Sequence, residues 1–254
     1  MPLSIRVIPC LDIRAGEVVK GVQFADVQSV GEPIELATKY YSDGADELTF
    51  LDITASQQGR SATLDLVSRT ADTLFIPLTV GGGIRKLDDV AQLLTAGADK
   101  VSIGSAAITV DGLLQEVSNR FGDQVLVVSL DIRRSAATSS GYELTSHGGT
   151  VNTGIDALTW ISEHRDCGIG ELLLNSMDAD GTKSGFDVEL LNAVQNETGL
   201  PLIASGGAGT VEDFVSAARA GASAVLAASV FHSGEISIRE VKENLRQSGL
   251  AVRL

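Results

Sequence analysis

Short runs of apolar, often β-branched residues alternate along this chain with longer stretches whose apolar positions recur at helical spacing. Eight runs, near 5–11, 46–51, 75–80, 99–103, 124–131, 169–175, 200–204 and 223–228, read as strands. Each is followed by a segment that reads as a helix: 33–42, 62–72, 87–96, 111–120, 154–167, 187–197, 211–220 and 237–247. The stretch Val125-Leu126-Val127-Val128-Ser129-Leu130 is almost uninterrupted, the pattern of a strand buried on both faces. By contrast, Leu36 to Tyr41 follows a 3.6-residue period. Eight β/α units in about 250 residues are the measure of a TIM (β/α)8 barrel. A doubly wound open sheet shares the alternation and is the alternative.

An internal repeat favours the barrel. Pro77-Leu78-Thr79-Val80-Gly81-Gly82-Gly83-Ile84 returns as Pro201-Leu202-Ile203-Ala204-Ser205-Gly206-Gly207-Ala208. Gly97 to Ser105 returns as Gly221 to Ser229, again 124 residues on and without a gap. We therefore expect one α/β domain, a single barrel over 1–254, made of half-barrels of approximately 1–122 and 123–254. In each copy an apolar run ends in glycines where a helix opens. Unpaired backbone N–H groups and the positive end of the helix dipole suit a phosphate there. Two copies imply two phosphates.

Two connections are longer than the rest, 12–32 and 133–153, and the second is expected to carry a hairpin with 142–146 as one arm. Both follow an Asp at a strand end, Asp12 after the first strand and Asp131 after the fifth. Strand C-terminal ends are where barrels place their chemistry. Two carboxylates there can divide acid and base roles if their surroundings separate their pKa values. The plainer alternative is that each caps a loop or pairs with Arg14 or Arg133. Met177-Asp178-Ala179-Asp180-Gly181-Thr182-Lys183-Ser184-Gly185 is a polar, glycine-punctuated loop able to wrap a substrate. At the opposite strand ends lie Arg6, Glu47, Lys100 and Glu171, either solvated or turned inward as a floor of two cations and two anions.

Composition narrows the function classes. The net charge of −14 argues against a nucleic-acid surface, which needs a basic face. No apolar run approaches the roughly 18 residues of a membrane span, and the N-terminus has no signal-peptide layout, so a cytoplasmic protein is expected. Cys10 and Cys167 form no metal or redox spacing, and the 3 histidines lie in different units. The 177–185 loop lacks the alternating ligands and distal Glu of a calcium loop. No metal or cofactor is expected.

Several stretches then carry a resemblance: Cys10-Leu11-Asp12, Val19-Lys20-Gly21, Glu47 to Ser56 with its DITAS segment, Val80-Gly81-Gly82-Gly83-Ile84-Arg85, the DGTKSG segment from Asp180 to Gly185, Ala204 to Gly209 and Ala227 to His232. Nearly end to end, the chain resembles the cyclase subunits of imidazole glycerol phosphate synthase, lyases of histidine biosynthesis. The resemblance implies a substrate with a phosphate at each end, the phosphoribulosyl-formimino aminoimidazole carboxamide ribotide. Ammonia from a partner glutaminase, bound as a heterodimer, closes its imidazole ring and releases an aminoimidazole carboxamide ribotide. Carried over by motif, Asp12 and Asp131 are the acid–base pair. Gly83, Gly104 and Ser105 hold one phosphate; Asp180, Gly181, Ser205, Gly207, Ala228 and Ser229 frame the other. Lys20 closes over the substrate. Arg6, Glu47, Lys100 and Glu171 form the gate for ammonia, and Asp99 and Gln124 face the glutaminase. The family usually has Asn-Thr where this chain has Gly104-Ser105, Asn and Arg at Gln23 and Gln28, and Thr at Asn175. The related sugar isomerase of the same pathway, and a non-catalytic bisphosphate-binding subunit that activates a glutaminase, are the alternatives.

Overall fold

The computed structural model describes residues 3–14, 17–22, 25–53 and 57–254, and of 20–22, 25–30 and 57–62 the backbone alone. Eight parallel strands alternating with helices give the expected (β/α)8-barrel class. The chain forms two compact units, one of Met1–Ser102 with Leu226–Leu254 and one of Ile103–Val225. These divide the chain by packing; the boundary near 122/123 that we propose divides it by sequence repeat.

In the first unit, β1 (Arg6–Arg14) pairs in parallel with β4 (Leu48–Asp52), β4 with β5 (Leu78–Gly81), and β5 with β6 (Lys100–Ile103). Consecutive residues Val7 and Ile8 are both fully buried, as expected of a strand covered on each face. The first long connection holds an antiparallel hairpin, β2 (Glu17–Val22) with β3 (Ala25–Gly31), which its sparse apolar pattern does not announce. Helix α1 (Pro33–Ser42) starts with Glu32 accepting from the Ile34 N–H and Pro33 in the first turn, where a missing N–H costs nothing. Helices α2 (Gln57–Ala71) and α3 (Leu87–Thr95) follow β4 and β5.

The second unit opens with α4 (Ser105–Thr109) and α5 (Leu113–Phe121). Strand β7 (Leu126–Arg134) pairs with the antiparallel hairpin β8 (Tyr142–Ser146) and β9 (Val151–Asp156), the first arm lying where it is expected. Buried Glu143 anchors that hairpin: it accepts from Arg133 at 2.7 and 3.1 Å and from the Gly154 N–H at 2.8 Å. Gly154 is thereby held in β9, so α6 begins at Ala157 (Ala157–His164) rather than at 154. Strand β10 (Glu171–Ser176) pairs with β7 on one side and β11 (Leu202–Ser205) on the other. Helices α7 (Val188–Thr198) and α8 (Val211–Arg219) flank β11, which pairs with β12 (Ala222–Ala227).

Returning to the first unit, α9 (Ser229–His232) precedes α10 (Ile238–Gln247). A capping box joins Ser237 and Glu240, and Ile238, Val241, Lys242 and Leu245 form the buried stripe. Lys242 is a cation in that stripe because it meets Asp46 at 2.9 Å, where Asp46 also accepts from the Val7 N–H at 2.9 Å and forms an ion pair with Arg253 at 3.3 Å. Among the described residues no helix is long and apolar enough to cross a membrane.

Losing Lys242 takes the buried cation from Asp46 and leaves it the Val7 N–H and the exposed Arg253. Lys242→Met, which keeps the apolar stem, is expected to cost about 3 kcal/mol in urea unfolding. The loss should be nearly insensitive to salt, since screening hardly reaches a pair this buried.

Candidate functional site

The glycine corners are built twice on one plan. Gly82 has a φ of +102°, and a Cβ there would lie 2.1 Å from the Asp52 carbonyl oxygen. At Gly206, 124 residues on, φ is +85° and the Cβ would lie 2.9 Å from the Ser176 carbonyl oxygen. Only glycine fits that approach. In both, a carboxylate in the first turn of the next helix reaches back to the corner: buried Asp89 accepts from the Arg85 N–H at 2.8 Å, and Asp213 from the Gly209 N–H at 2.9 Å. The repeat read in the sequence is therefore a repeat of corner geometry.

In the first unit Asp12 lies level with Leu51 of β4, which is level with Gly81 of β5, in turn level with Ser102 of β6. Period-two alternation puts Arg6 and Asp12 on one face of β1, at opposite ends. Glu47, 1% exposed, accepts from Arg6 at 2.8 Å, Lys100 at 2.9 Å and the Thr79 hydroxyl at 2.6 Å. Burying one carboxylate costs several kcal/mol, and three hydrogen bonds at about 1.5–3 kcal/mol each offset it. Three members of the expected floor thus meet; Glu171 begins β10 in the other unit. Asp52 accepts from the Thr63 hydroxyl at 2.5 Å, which fixes the end of β4 on α2. Asp99 accepts from the Leu78 N–H at 2.9 Å, so this expected partner-facing residue also stitches β5. Gly83 follows Gly82 with a φ of +64°. Of Lys20 and Gln28 only the backbone is described, and Gln23 lies outside the described residues.

In the second unit Asp131, Asn175 and Ser205 are level across β7, β10 and β11. The Asn175 amide donates to Asp131 Oδ1 at 3.0 Å, and its Oδ1 accepts from the Ser205 hydroxyl at 3.3 Å. Burial pushes the Asp131 carboxyl above its usual range, the Asn175 hydrogen bond pulls it back, and the negative charge of Asp180 adds to the rise. Asp180 is itself raised by burial and eased by the Gly181 N–H. The structure therefore brings Asp131, Asp180 and Ser205 into one electrostatic cluster, through an Asn that the resemblance marks only as a substitution. Gly207 carries a φ of +103°, and a Cβ there would lie 2.1 Å from the Gly185 carbonyl oxygen, so the 177–185 loop rests directly on that corner.

Two short helices, α4 and α9, escape the sequence reading, being too short to show a period. They open at Ser105 and Ser229, again 124 residues apart, and the caps before them, Gly104 and Ala228, supply no side-chain hydrogen bond. Ser105 Oγ accepts from the His147 N–H at 2.8 Å, which leaves its own proton to donate. His147, at a φ of +54°, turns the tip of the β8–β9 hairpin toward that corner. Gln124 donates to the Phe121 carbonyl at 3.1 Å. Among the described residues no group of histidines, cysteines and carboxylates could hold a metal ion.

The sequence profile of the family described as histidine biosynthesis protein matches residues 6–237. Over the whole of both chains, the protein is 58% identical to the imidazole glycerol phosphate synthase subunit HisF of Beutenbergia cavernae. It is 59% identical to that of Thermobifida fusca and 57% identical to that of Leifsonia xyli subsp. xyli, again over both full lengths.

The cluster around Asp131 predicts opposite shifts. Asn175→Ala removes the hydrogen bond and should raise the Asp131 pKa, whereas Asp180→Asn removes the neighbouring charge and should lower it, both read by carboxyl NMR titration. A carboxyl raised in the native state destabilises the fold once ionised. Asp131→Asn should therefore melt a few degrees higher at pH 7, and the gain should shrink as pH falls through the native pKa toward the unfolded value of about 4.

Proposed function

The chain belongs to the histidine biosynthesis family, among the HisF subunits of imidazole glycerol phosphate synthase, and from this we propose how its residues divide the work. Its activity is that of the cyclase subunit, a lyase-type step of histidine biosynthesis. Identity of 58% over the full length of both chains is the observation that carries this conclusion.

We assign Asp12 and Asp131 as acid and base. The carboxyl of Asp131, raised by burial, is suited to carry a proton nearer neutral pH than an ordinary Asp. One group assists ammonia attack and imine formation, and the other protonates the departing side, help worth roughly 10²–10⁴-fold each. Gly104 and Ser105 take one phosphate through uncapped N–H groups and the free proton of the Ser105 hydroxyl. Asp180, Gly181, Ser205 and Gly207 take the other. The phosphate assignments of Gly83, Ala228 and Ser229 follow the resemblance, as does that of Lys20 in closure. Arg6, Glu47, Lys100 and Glu171 gate ammonia, a role supported by the buried Arg6–Glu47–Lys100 cluster. The substrate is the bisphosphate ribotide named above, the partner is a glutaminase docked near Asp99 and Gln124, and the protein works in the cytoplasm.

The test uses this chain without a glutaminase, with the ribulosyl bisphosphate substrate and ammonium salt at mildly alkaline pH. Release of the aminoimidazole ribotide should scale with free ammonia. Asp12→Asn and Asp131→Asn should each lose at least 10²-fold in kcat while still binding substrate. Turnover indifferent to ammonia would favour the sugar isomerase, and binding without turnover the regulatory subunit.

A further inference from the structure

Arg134 closes β7 three residues after Asp131, and it touches both stems of the loop that carries Asp180 and Gly181. At the first stem its backbone N–H donates to Asp178 Oδ2 at 2.7 Å. At the second, its guanidinium donates to both Asp187 oxygens at 3.0 and 3.2 Å and meets Glu189 at 2.9 Å. The same guanidinium lies 5.3 Å from the centre of the Tyr142 ring and donates to the Tyr142 hydroxyl at 3.3 Å. Tyr142 is buried in β8, so the cation is held against a rigid wall.

An exposed ion pair is ordinarily worth little, because two long side chains must be ordered to make it. Three features separate this one. The contact to Asp187 is forked, which fixes the guanidinium plane. Asp187 is only 9% exposed and is already engaged, capping α7 through the Leu190 N–H at 3.0 Å and accepting from Ser176 at 3.3 Å. The aromatic contact restrains the cation from the other side. Between the stems the loop is pressed on its neighbour: the Gly185 N–H donates to the Gly207 carbonyl at 2.8 Å, and a Cβ on Gly209 would lie 2.1 Å from the Lys183 carbonyl oxygen. Lys183 holds a φ of +56°, a conformation that a loosened loop would abandon.

We propose that Arg134 is a positioning residue for the phosphate-binding loop, its main chain holding the stem at Asp178 and its guanidinium the stem at Asp187, so that Asp180 and Gly181 are set before substrate arrives. The inference rests on the assignment of that loop to a substrate phosphate. Arg134 touches no reacting atom, so its loss is felt in binding: a loop that must be ordered by substrate takes that cost from the affinity.

The experiment compares Arg134→Gln and Arg134→Lys with the parent in the ammonium-driven reaction, alongside calorimetric Kd values for the bisphosphate substrate. Both variants keep the backbone contact to Asp178. Arg134→Gln should raise KM and Kd about tenfold with kcat within about twofold, and Arg134→Lys, which retains the charge without the fork, about threefold. The KM for ammonia should not move. Unchanged KM and Kd, with or without a lower Tm, would overturn the proposal, as would a fall confined to kcat. If Arg134→Gln does not fold, the Lys variant decides by the same criteria. A parent that binds the bisphosphate without turnover defeats the cyclase assignment, while the Kd comparison still judges Arg134.

Discussion

No side chain fits at Gly82 or Gly206, and the barrel ends are arranged around that constraint. Each glycine lets a strand turn sharply against the carbonyl of the preceding parallel strand, that of Asp52 in one unit and of Ser176 in the other. The next helix follows a short turn, at Leu87 in one unit and Val211 in the other. The carboxylates of Asp89 and Asp213, in the first turns of those helices, reach back to the N–H groups of Arg85 and Gly209 and so tie each corner to its helix. Backbone N–H groups at such corners are donors that bring no side-chain bulk with them. A chain with a net charge of −14 can hold an anion only through such local donors.

Charges within the units are handled in two contrasting ways. Glu47 is neutralised as completely as hydrogen bonding allows, by Arg6, Lys100 and Thr79. Such a carboxylate is fixed in place. Asp131 is treated differently: burial raises it, a single amide eases it, and a second carboxyl at Asp180 raises it again. The described side-chain hydrogen bond it receives is from a neutral donor. Glu47 thus has two cations within hydrogen-bond reach, whereas Asp131 has a neutral amide and a second carboxyl nearby.

The β8–β9 hairpin joins the local features of the second unit. Its base is held by Arg133 on Glu143, its flank carries Tyr142 against Arg134, and its tip reaches Ser105 through His147. Thr145 within it donates to the Asp131 carbonyl at 2.9 Å. An insertion after a strand thus touches Asp131, the Ser105 corner and the Arg134 that holds the 177–185 loop. The corresponding insertion of the first unit is the β2–β3 hairpin, paired with β1 beside Asp12.

Periodicity determined the strand and helix order, because strands buried on both faces must be apolar throughout while the helices between them need only a stripe. The repeat determined the two glycine corners, because an approach that excludes Cβ leaves glycine as the only residue. Asp12 and Asp131 stood out in the sequence after apolar runs, but each strand continues past its Asp, to Arg14 and Arg134, because a hairpin pairs with that extension. Tertiary structure alone decided the rest. Helices α4 and α9 are too short for a period, the β2–β3 pairing depends on β1, and Gly154 is drawn into a strand by Glu143. Asn175 and Arg134 look ordinary in the sequence. Their partners, Asp131 at 44 residues' separation and Asp187 at 53, come within reach only once strand register and loop packing are set.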